Sequence, residues 1–232
     1  MKKLVTLLTA VLLATNVFAQ TTFTTNITVN TAVPDNDPSG LARAFSLSGF
    51  GGTISNLSVA VNLTGGYNGD LFAYLTGPGG YAVLLNRVGV TSANPNGYGN
   101  TGLAVTFISG GADIHAYGAG SYTTNAAGQL TGNWGVDGRN ISPLSLGNVF
   151  DLAGRTALLD SFFGTSPNGT WGLFVGDYAT GDISTLLNYT VSITTVAVPE
   201  PGTLALLAVG GMAIFASHRR RTWRPRVSCR PR

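Results

Sequence analysis

Hydrophobic residues recur at every second position in several short segments of this chain. The clearest segment alternates Leu57, Val59, Val61 and Leu63 with small or polar residues. Side chains of a β-strand point to opposite faces in turn, so this alternation predicts a strand with one buried face. The pattern therefore predicts that residues 56–63 form one strand of a sheet that covers a core.

Other segments predict further strands joined by tight turns. Residues 70–75 and 81–85 flank a Gly-Pro-Gly-Gly sequence at 77–80, which predicts a β-hairpin. Strands are also predicted around 103–107, 158–163, 168–175 and 187–193. Residues 20–44 indicate a polar, turn-rich segment leading into a first strand, and 87–101 and 110–138 are mostly loop-like. Because no core segment has a sustained helical period, we expect an all-β fold, an antiparallel β-sandwich or jelly roll.

The first nineteen residues have the three parts of a secretory signal peptide. Lys2 and Lys3 precede a fourteen-residue apolar run at 4–17, and Val-Phe-Ala ends at Ala19. A helix needs about twenty apolar residues to cross a bilayer, so this run is too short for a typical anchor. We expect an N-terminal signal helix over 1–19 that is cleaved between Ala19 and Gln20, with an uncleaved anchor as the alternative.

Three features follow one another near the end of the chain. Pro199, Glu200 and Pro201 precede an apolar stretch at 203–217, and Arg219, Arg220 and Arg221 come next. This order resembles the PEP-CTERM sorting signal, which the resemblance places at 196–221. The arginines stand where the positive-inside rule places cytoplasmic charge, on the far side of a C-terminal transmembrane helix.

The PEP-CTERM resemblance implies an exosortase-type processing enzyme that recognises the Pro-Glu-Pro motif and removes the anchor. The protein would be held in the membrane by its C-terminal helix before processing, and would then pass to the cell surface or extracellular matrix of a bacterium. A basic tail at 222–232 extends beyond the usual end of such signals. A plain membrane anchor that is never processed is therefore the alternative.

The charge of the core differs from that of the whole chain. Between residues 20 and 196 there are four arginines and nine aspartates, a net charge of −5, whereas the whole chain carries +3. Nucleic-acid binding is not expected because the core lacks the basic surface that phosphate contacts require. The only cysteine, Cys229, follows the arginine cluster, so no disulfide stabilises the core.

Two core segments resemble the proprotein-convertase P domain, also called P/Homo B. One combines the strand at 54–61 with Gly-Asp-Leu at 69–71 and Leu-Thr-Gly-Pro-Gly-Gly at 75–80. The other is Gly-Thr-Trp-Gly-Leu-Phe-Val-Gly-Asp at 169–177, followed by Gly181 and Asp182. The resemblance covers about 45–195 and implies a jelly-roll accessory module without catalytic residues of its own.

The core sequence contains few residues that could form a catalytic site. Its one histidine is His115, the only available base for a Ser-His-Asp triad, and no Gly-x-Ser-x-Gly elbow is present. Glutamate is absent from the core, and nothing in the sequence pairs the aspartates as a glycosidase requires. We therefore expect no enzymatic activity.

Two kinds of binding site remain as weaker hypotheses. Asp70, Asp177 and Asp182 stand in turn sequences and are candidate Ca²⁺ ligands, although no complete calcium loop is present and turn hydrogen bonding is the simpler interpretation. Trp171 and Phe174 are candidates for a carbohydrate platform, with core packing as the alternative.

These observations predict a non-catalytic exported protein with a structural or adhesive role, whose partner is a surface polysaccharide or a protease. The alternative is a detached P domain that assists or stabilises a subtilisin-like protease. The Gly- and Asn-rich loops are a further candidate contact surface, because loops on a rigid sandwich commonly carry recognition.

Overall fold

Strand-forming residues dominate the part of the chain that the computed structural model describes, residues 20–197 and 210–212. Between residues 20 and 197 the chain forms nine strands. They are β1 (Gln20–Ala32), β2 (Asp37–Leu47), β3 (Thr53–Gly65), β4 (Leu71–Gly77), β5 (Gly80–Asn86), β6 (Gly102–Ile108), β7 (Leu130–Trp134), β8 (Gly169–Asp177) and β9 (Ser184–Val196). Four short helical segments lie between them: 3₁₀ turns at Asn68–Asp70, Ile114–Ala119 and Leu159–Phe162, and helix α1 (Gly147–Leu152).

The strands form two sheets. The first has the order β1-β9-β3-β6-β7, and the second has the order β2-β8-β4-β5. All neighbours are antiparallel except β6 and β7, which run parallel. The predicted all-β, two-sheet fold is confirmed in this form, with that parallel pair as the exception.

The core lies between the two sheets and follows the predicted alternation. Leu57, Val59, Val61 and Leu63 are at most 3% exposed. Large side chains from both sheets meet them, including Phe107, Trp171 and Tyr189, which are fully buried. Burial of apolar area on this scale is the main source of stability, because the core contains no disulfide.

Two segments differ from the expectation. The range 20–44, expected to hold a polar segment and one strand, contains all of β1 and most of β2. The predicted strand at 158–163 is instead a 3₁₀ turn, Leu159–Phe162, whose two end residues are buried. A short apolar run does not by itself distinguish a strand from a helical turn, and here Phe162 packs its ring on Trp171 at 5.0 Å between centroids.

Several predicted features lie outside the described residues. They are the signal helix at 1–19, the Pro-Glu-Pro motif, most of the apolar stretch at 203–217, the arginine cluster and the basic tail. Within residues 20–197 and 210–212, no helix is both long and apolar enough to cross a membrane.

Candidate functional site

Five aromatic residues cluster on the outer side of the four-stranded sheet. Because β4 turns Leu71, Ala73 and Leu75 into the core, its alternate residues point outwards. We call the outward cluster the aromatic face, and its members are Phe72 and Tyr74 on β4, Tyr81 on β5, Phe174 on β8 and Tyr178 just after β8. Each is half-buried, so each ring keeps part of its surface in solvent.

The rings of the aromatic face are in mutual contact. Tyr74 stacks on Phe174 with centroids 4.9 Å apart and an interplanar angle of 14°, and Tyr81 lies 5.4 Å from Tyr74. Phe72 contacts Tyr178 edge to face at 5.9 Å. The pairing of β4 with β8 brings the stacked pair together, since Tyr74 stands opposite Phe174. Such pairs stabilise a sheet by about 0.5–1.5 kcal/mol each beyond the area they bury.

A shallow groove of about 220 Å³ runs beside Tyr74 and Phe174. Its walls come from three neighbouring strands, β2, β8 and β4. The lining residues are Ala42, Arg43, Ala44, Tyr74, Thr76, Gly172, Leu173 and Phe174. The groove exists because alanines and a glycine replace larger side chains beside the two rings. It combines apolar walls with the hydroxyl of Thr76 at the margin.

The phenols of Tyr81 and Tyr178 on the aromatic face are protonated and neutral. Burial raises the pKa of Tyr81 and of Tyr178 above its ordinary value, with a smaller contribution from Tyr74 in both cases. Both side chains therefore remain hydroxyl donors across the physiological range. The aromatic face thus presents ring surface with neutral hydrogen-bonding groups.

The two residues proposed as a carbohydrate platform occupy opposite sides of the sheet. Trp171 is fully buried, and its Nε1 donates to the carbonyl of Pro167 at 2.9 Å. Phe174 belongs to the aromatic face. Alternation along β8 separates them, because residues an odd number of positions apart point to opposite faces. Trp171 is a core residue, and only Phe174 is available to a ligand.

Asp70 and Asp177 lie near one another at one end of the sandwich. Asp70 closes the 3₁₀ turn before β4, and Asp177 ends β8, where Leu71 is its cross-strand partner. Asp70 is 8% exposed and Asp177 is fully buried, while Asp182 is exposed. Asp177 Oδ1 accepts the N–H of Ala179 at 3.2 Å, whereas its Oδ2 has no partner.

The electrostatics of this pair disfavour negative charge. Desolvation, and then the charge of Asp177, raise the pKa of Asp70 to about 6. Desolvation likewise raises the pKa of Asp177. Within the described residues, no group of three or more His, Cys, Asp or Glu side chains is arranged to hold a metal ion. The calcium hypothesis for Asp70, Asp177 and Asp182 therefore stays a prediction.

His115 lies in a buried polar network. Its Nδ1 is 2.7 Å from Asp137 Oδ2, and its Nε2 is 3.0 Å from the carbonyl oxygen of Val90. Arg139 contacts both Asp137 and Asp113, at 3.2 and 3.0 Å. A carboxylate and a carbonyl oxygen accept hydrogen bonds, so each ring nitrogen has an acceptor within reach. The nitrogen that a triad base would direct at a serine faces the main chain instead.

Of the residues named for signal cleavage and sorting, only Gln20 belongs to the described part of the chain. Gln20 is the first residue of β1 and pairs with Val196 of β9. Ala19, Pro199, Glu200, Pro201 and Arg219–Arg221 lie outside the described residues. The two chain segments next to the predicted processing points therefore leave the sandwich from adjacent strands.

The sequence contained a usable signal for the aromatic face. Once Leu71, Ala73 and Leu75 are assigned to the core, Phe72 and Tyr74 must point outwards, where polar residues are the norm. What the sequence lacked was the order of the strands. Only the pairing of β4 with both β8 and β5 brings Phe174 and Tyr81 to the same place.

A family model described as the PEP-CTERM protein-sorting motif matches residues 197–221. The C-terminal segment therefore carries a PEP-CTERM motif, as its sequence indicated. Among curated proteins, none matches the chain.

Two solved structures from Aeromonas sobria are similar to most of this chain. One is a serine protease in complex with the chaperone ORF2, with 16% identity over 82% of this chain and a TM-score of 0.42. The other is the serine protease of the same organism, with 14% identity over 81% of this chain and a TM-score of 0.42. The matched region spans only 29% of each of those chains.

Proposed function

We propose that this protein is exported, processed at its PEP-CTERM motif by an exosortase-type membrane protease, and displayed at the cell surface or in the extracellular matrix. There it acts as a non-catalytic sandwich with a structural or adhesive role. The observation that carries the proposal is the sorting-motif match at 197–221, which begins one residue after the last strand ends at Val196. A processing enzyme would thus cut beyond the folded unit and leave every strand intact.

The order of the C-terminal segments suits such processing. The two prolines of the motif restrict the backbone to extended conformations, the form in which proteases bind their substrates. We infer that the apolar stretch at 203–217 crosses the membrane, with the arginines that follow it retained in the cytoplasm. Glu200 is the only glutamate in the chain, so no other segment has a glutamate between two prolines.

Two features of the sandwich support a non-catalytic role. Both ring nitrogens of His115 lie within hydrogen-bond distance of protein oxygens, and the residue is 5% exposed. The two segments that resemble the P domain supply β4 and β8, which pair with each other at the centre of one sheet. We therefore propose that the core is a P-domain-like module that binds rather than catalyses.

The aromatic face is the surface that we assign to adhesion, with a surface polysaccharide as its partner. Sugar rings present C–H faces that pack on aromatic rings, and hydroxyls that bond to groups such as the Tyr74 phenol. Exposed apolar patches rimmed by polar groups commonly mark interaction sites. The groove beside Tyr74 and Phe174 adds a concave strip, with the Thr76 hydroxyl placed to bond a sugar hydroxyl.

Intact-mass analysis of the full chain in its native host tests the sorting proposal. Protein from the cell-surface and extracellular fractions is compared for wild type, Glu200→Gln and the matched control Asp182→Asn. Both variants lose one carboxylate, but Asp182 is an exposed residue of the sandwich. We expect wild type and the control to lack the mass of the segment beyond the motif, and Glu200→Gln to retain it.

A full-length tail in all three proteins would contradict the sorting proposal, and the protein would then be a membrane-anchored sandwich. Stoichiometric co-purification of a subtilisin-like protease with the wild-type chain would instead favour the accessory role. The mass of the tail and the identity of a co-purified chain are independent readouts, so the two failures are distinguishable.

A further inference from the structure

The first strand of the sandwich has an open hydrogen-bonding edge. β1 (Gln20–Ala32) is thirteen residues long and pairs on one side with β9. On its other side no strand of residues 20–197 is paired with it, because β1 ends the order of its sheet. In an antiparallel strand, alternate residues direct N–H and C=O to each side, so about half of these groups point away from β9. A row of such groups is a template for another strand.

The other three edges of the two sheets are protected. At the β5 edge, Val83 and Leu84 are bonded by the main chain of residues 137–138 and 157. β7 is only five residues long and its first residue bridges to Thr124. β2 carries Asp37, Pro38 and Arg43. Charge, proline, short length and coverage are the devices by which natural sheets prevent edge pairing.

β1 has almost none of these devices. Its sequence, Gln-Thr-Thr-Phe-Thr-Thr-Asn-Ile-Thr-Val-Asn-Thr-Ala, contains no charged residue and no proline. A bulge interrupts its register only between Thr28 and Thr31, and Arg43 covers that end by donating to Thr31 Oγ1 at 3.2 Å. The unprotected part is therefore residues 20–28, for which the structure shows regular pairing with β9.

The side chains of β1 are also suited to a partner. Phe23, Ile27 and Val29 face the core but are only half-buried, and Phe23 contacts the ring of Phe50 at 5.2 Å between centroids. On the outer face, Thr22 and Thr24 already form hydroxyl pairs with β9, both at 3.0 Å, with Thr194 and Ser192. A strand opposite the free edge would cover the apolar row and meet the same row of hydroxyls.

We propose that β1 pairs with β1 of a second copy of this chain, antiparallel across a two-fold axis, so that two five-stranded sheets become one continuous sheet. Because the sequence of β1 is self-complementary, we infer that the strand bound at this edge is β1 of another copy of the same chain. Pairing β1 with itself places threonine and asparagine opposite one another on the outer face and brings together the two core-facing rows that contain Phe23, Ile27 and Val29, without like charges in contact. The dimer rests on the fold alone and is independent of processing at the C-terminus.

Cysteine cross-linking of the full chain tests this pairing. In a Cys229→Ser background, Thr24→Cys, Asn26→Cys and Thr28→Cys are introduced singly, and purified full-length protein is treated with a short bismaleimide. All three positions are exposed, and the matched control is Ser48→Cys, also exposed, just beyond β2. We expect a covalent dimer from the β1 positions, strongest at the residue nearest the two-fold axis, and none above background from Ser48→Cys.

Charged substitutions on β1 distinguish a loss of strand pairing from a loss of folding. Thr24→Lys with Thr28→Lys, added to Asn26→Cys, places like charges opposite one another and should reduce the dimer about tenfold. A copy carrying Thr24→Glu and Thr28→Glu, also with Asn26→Cys, should restore cross-linking when mixed with the lysine copy. A dimer yield no higher than that of Ser48→Cys, a mixture that fails to restore cross-linking, or cross-links only to a different protein would each overturn the proposal.

Discussion

The Nδ1 atom of His115 lies 2.7 Å from Oδ2 of Asp137, and both side chains are buried. The same Asp137 oxygen accepts the N–H of Asn86 at 3.2 Å, and its other oxygen accepts from Arg139. One carboxylate thus joins the 3₁₀ turn around His115, the end of β5 and the loop that follows β7. The histidine that appeared to be a candidate base from sequence is a structural cross-link.

Replacing Asp137 should be far more costly than replacing an exposed aspartate. Asp137→Ala leaves His115 and Arg139 without their buried anion, and removing one member of a buried pair typically costs about 3–5 kcal/mol. The exposed Asp182→Ala should change the free energy of unfolding by less than about 0.5 kcal/mol. Urea denaturation of both variants measures the difference, and equal midpoints would show that the network contributes no stability.

The stability of the sandwich should depend on pH through Asp70. Its pKa is raised to about 6 from an ordinary value of 3.8, so the folded state binds more protons than the unfolded state between these values. The contribution of protonated Asp70 to the free energy of unfolding is thus fully present below about pH 4. It is lost as the pH rises through about 6, when a carboxylate must be charged inside the protein.

Asp70→Asn removes that charge and should raise the free energy of unfolding at pH 7.5 by about 1–2 kcal/mol. The gain should shrink towards pH 4, where wild-type Asp70 is itself mostly protonated. Thermal unfolding of both proteins at a series of pH values checks the trend, with Asp151→Asn, at an exposed aspartate, as the control. A destabilised Asp70→Asn at pH 7.5 would mean that the carboxylate has a favourable partner, such as a bound cation.

Alanine substitutions of the two aromatic residues of β8 should lower the free energy of unfolding by clearly different amounts. Trp171 is fully buried and stacks on Phe162, so Trp171→Ala should lower the free energy of unfolding by about 3–5 kcal/mol. Phe174→Ala removes a half-buried ring and its stack on Tyr74, for which about 1 kcal/mol is expected. Chemical denaturation measures both, and a larger loss for Phe174 would reverse our assignment of the two faces.

Removing the aromatic face should weaken polysaccharide binding while the fold is retained. Tyr74→Ser with Phe174→Ser deletes the stacked pair, and the matched control is Leu144→Ser with Leu146→Ser, which deletes two side chains that are 70% and 75% exposed. Co-sedimentation of full-length protein with extracellular polysaccharide from the host gives the bound fraction. We expect binding to fall only for the aromatic pair, and equal binding by all proteins would exclude this face as the adhesive surface.

A glycine comparison tests how closely β3 and β6 approach. Gly102 has φ +94°, and a Cβ there would lie 2.3 Å from the carbonyl oxygen of Leu63. Gly110 also has a positive φ, +69°, but nothing lies within 4 Å of its Cβ position. Gly110→Ala should cost about 1 kcal/mol from backbone strain alone. Gly102→Ala should cost clearly more in thermal unfolding, because the two strands must also separate.

The sequence by itself determined the class of fold and the sorting motif at 197–221. Alternation at Leu57, Val59, Val61 and Leu63 specified which face of β3 is buried, because the period of a strand is a local property. The Pro-Glu-Pro motif, the apolar stretch and the arginines indicated sorting for the same reason, since each is a contiguous segment. Even the opposite orientation of Trp171 and Phe174 was implicit in their spacing.

Only the tertiary structure decided which strands are neighbours. β9 inserts between β1 and β3, although β1 and β9 lie at opposite ends of the folded segment. Among residues 20–197, one edge of β1 is therefore left without a paired strand. Pairing across long separations depends on how all the strands together cover one core, which no short window of sequence contains. The aromatic face, the pairing of His115 with Asp137 and the desolvation of Asp70 arise in the same way, from residues far apart in sequence that burial brings together.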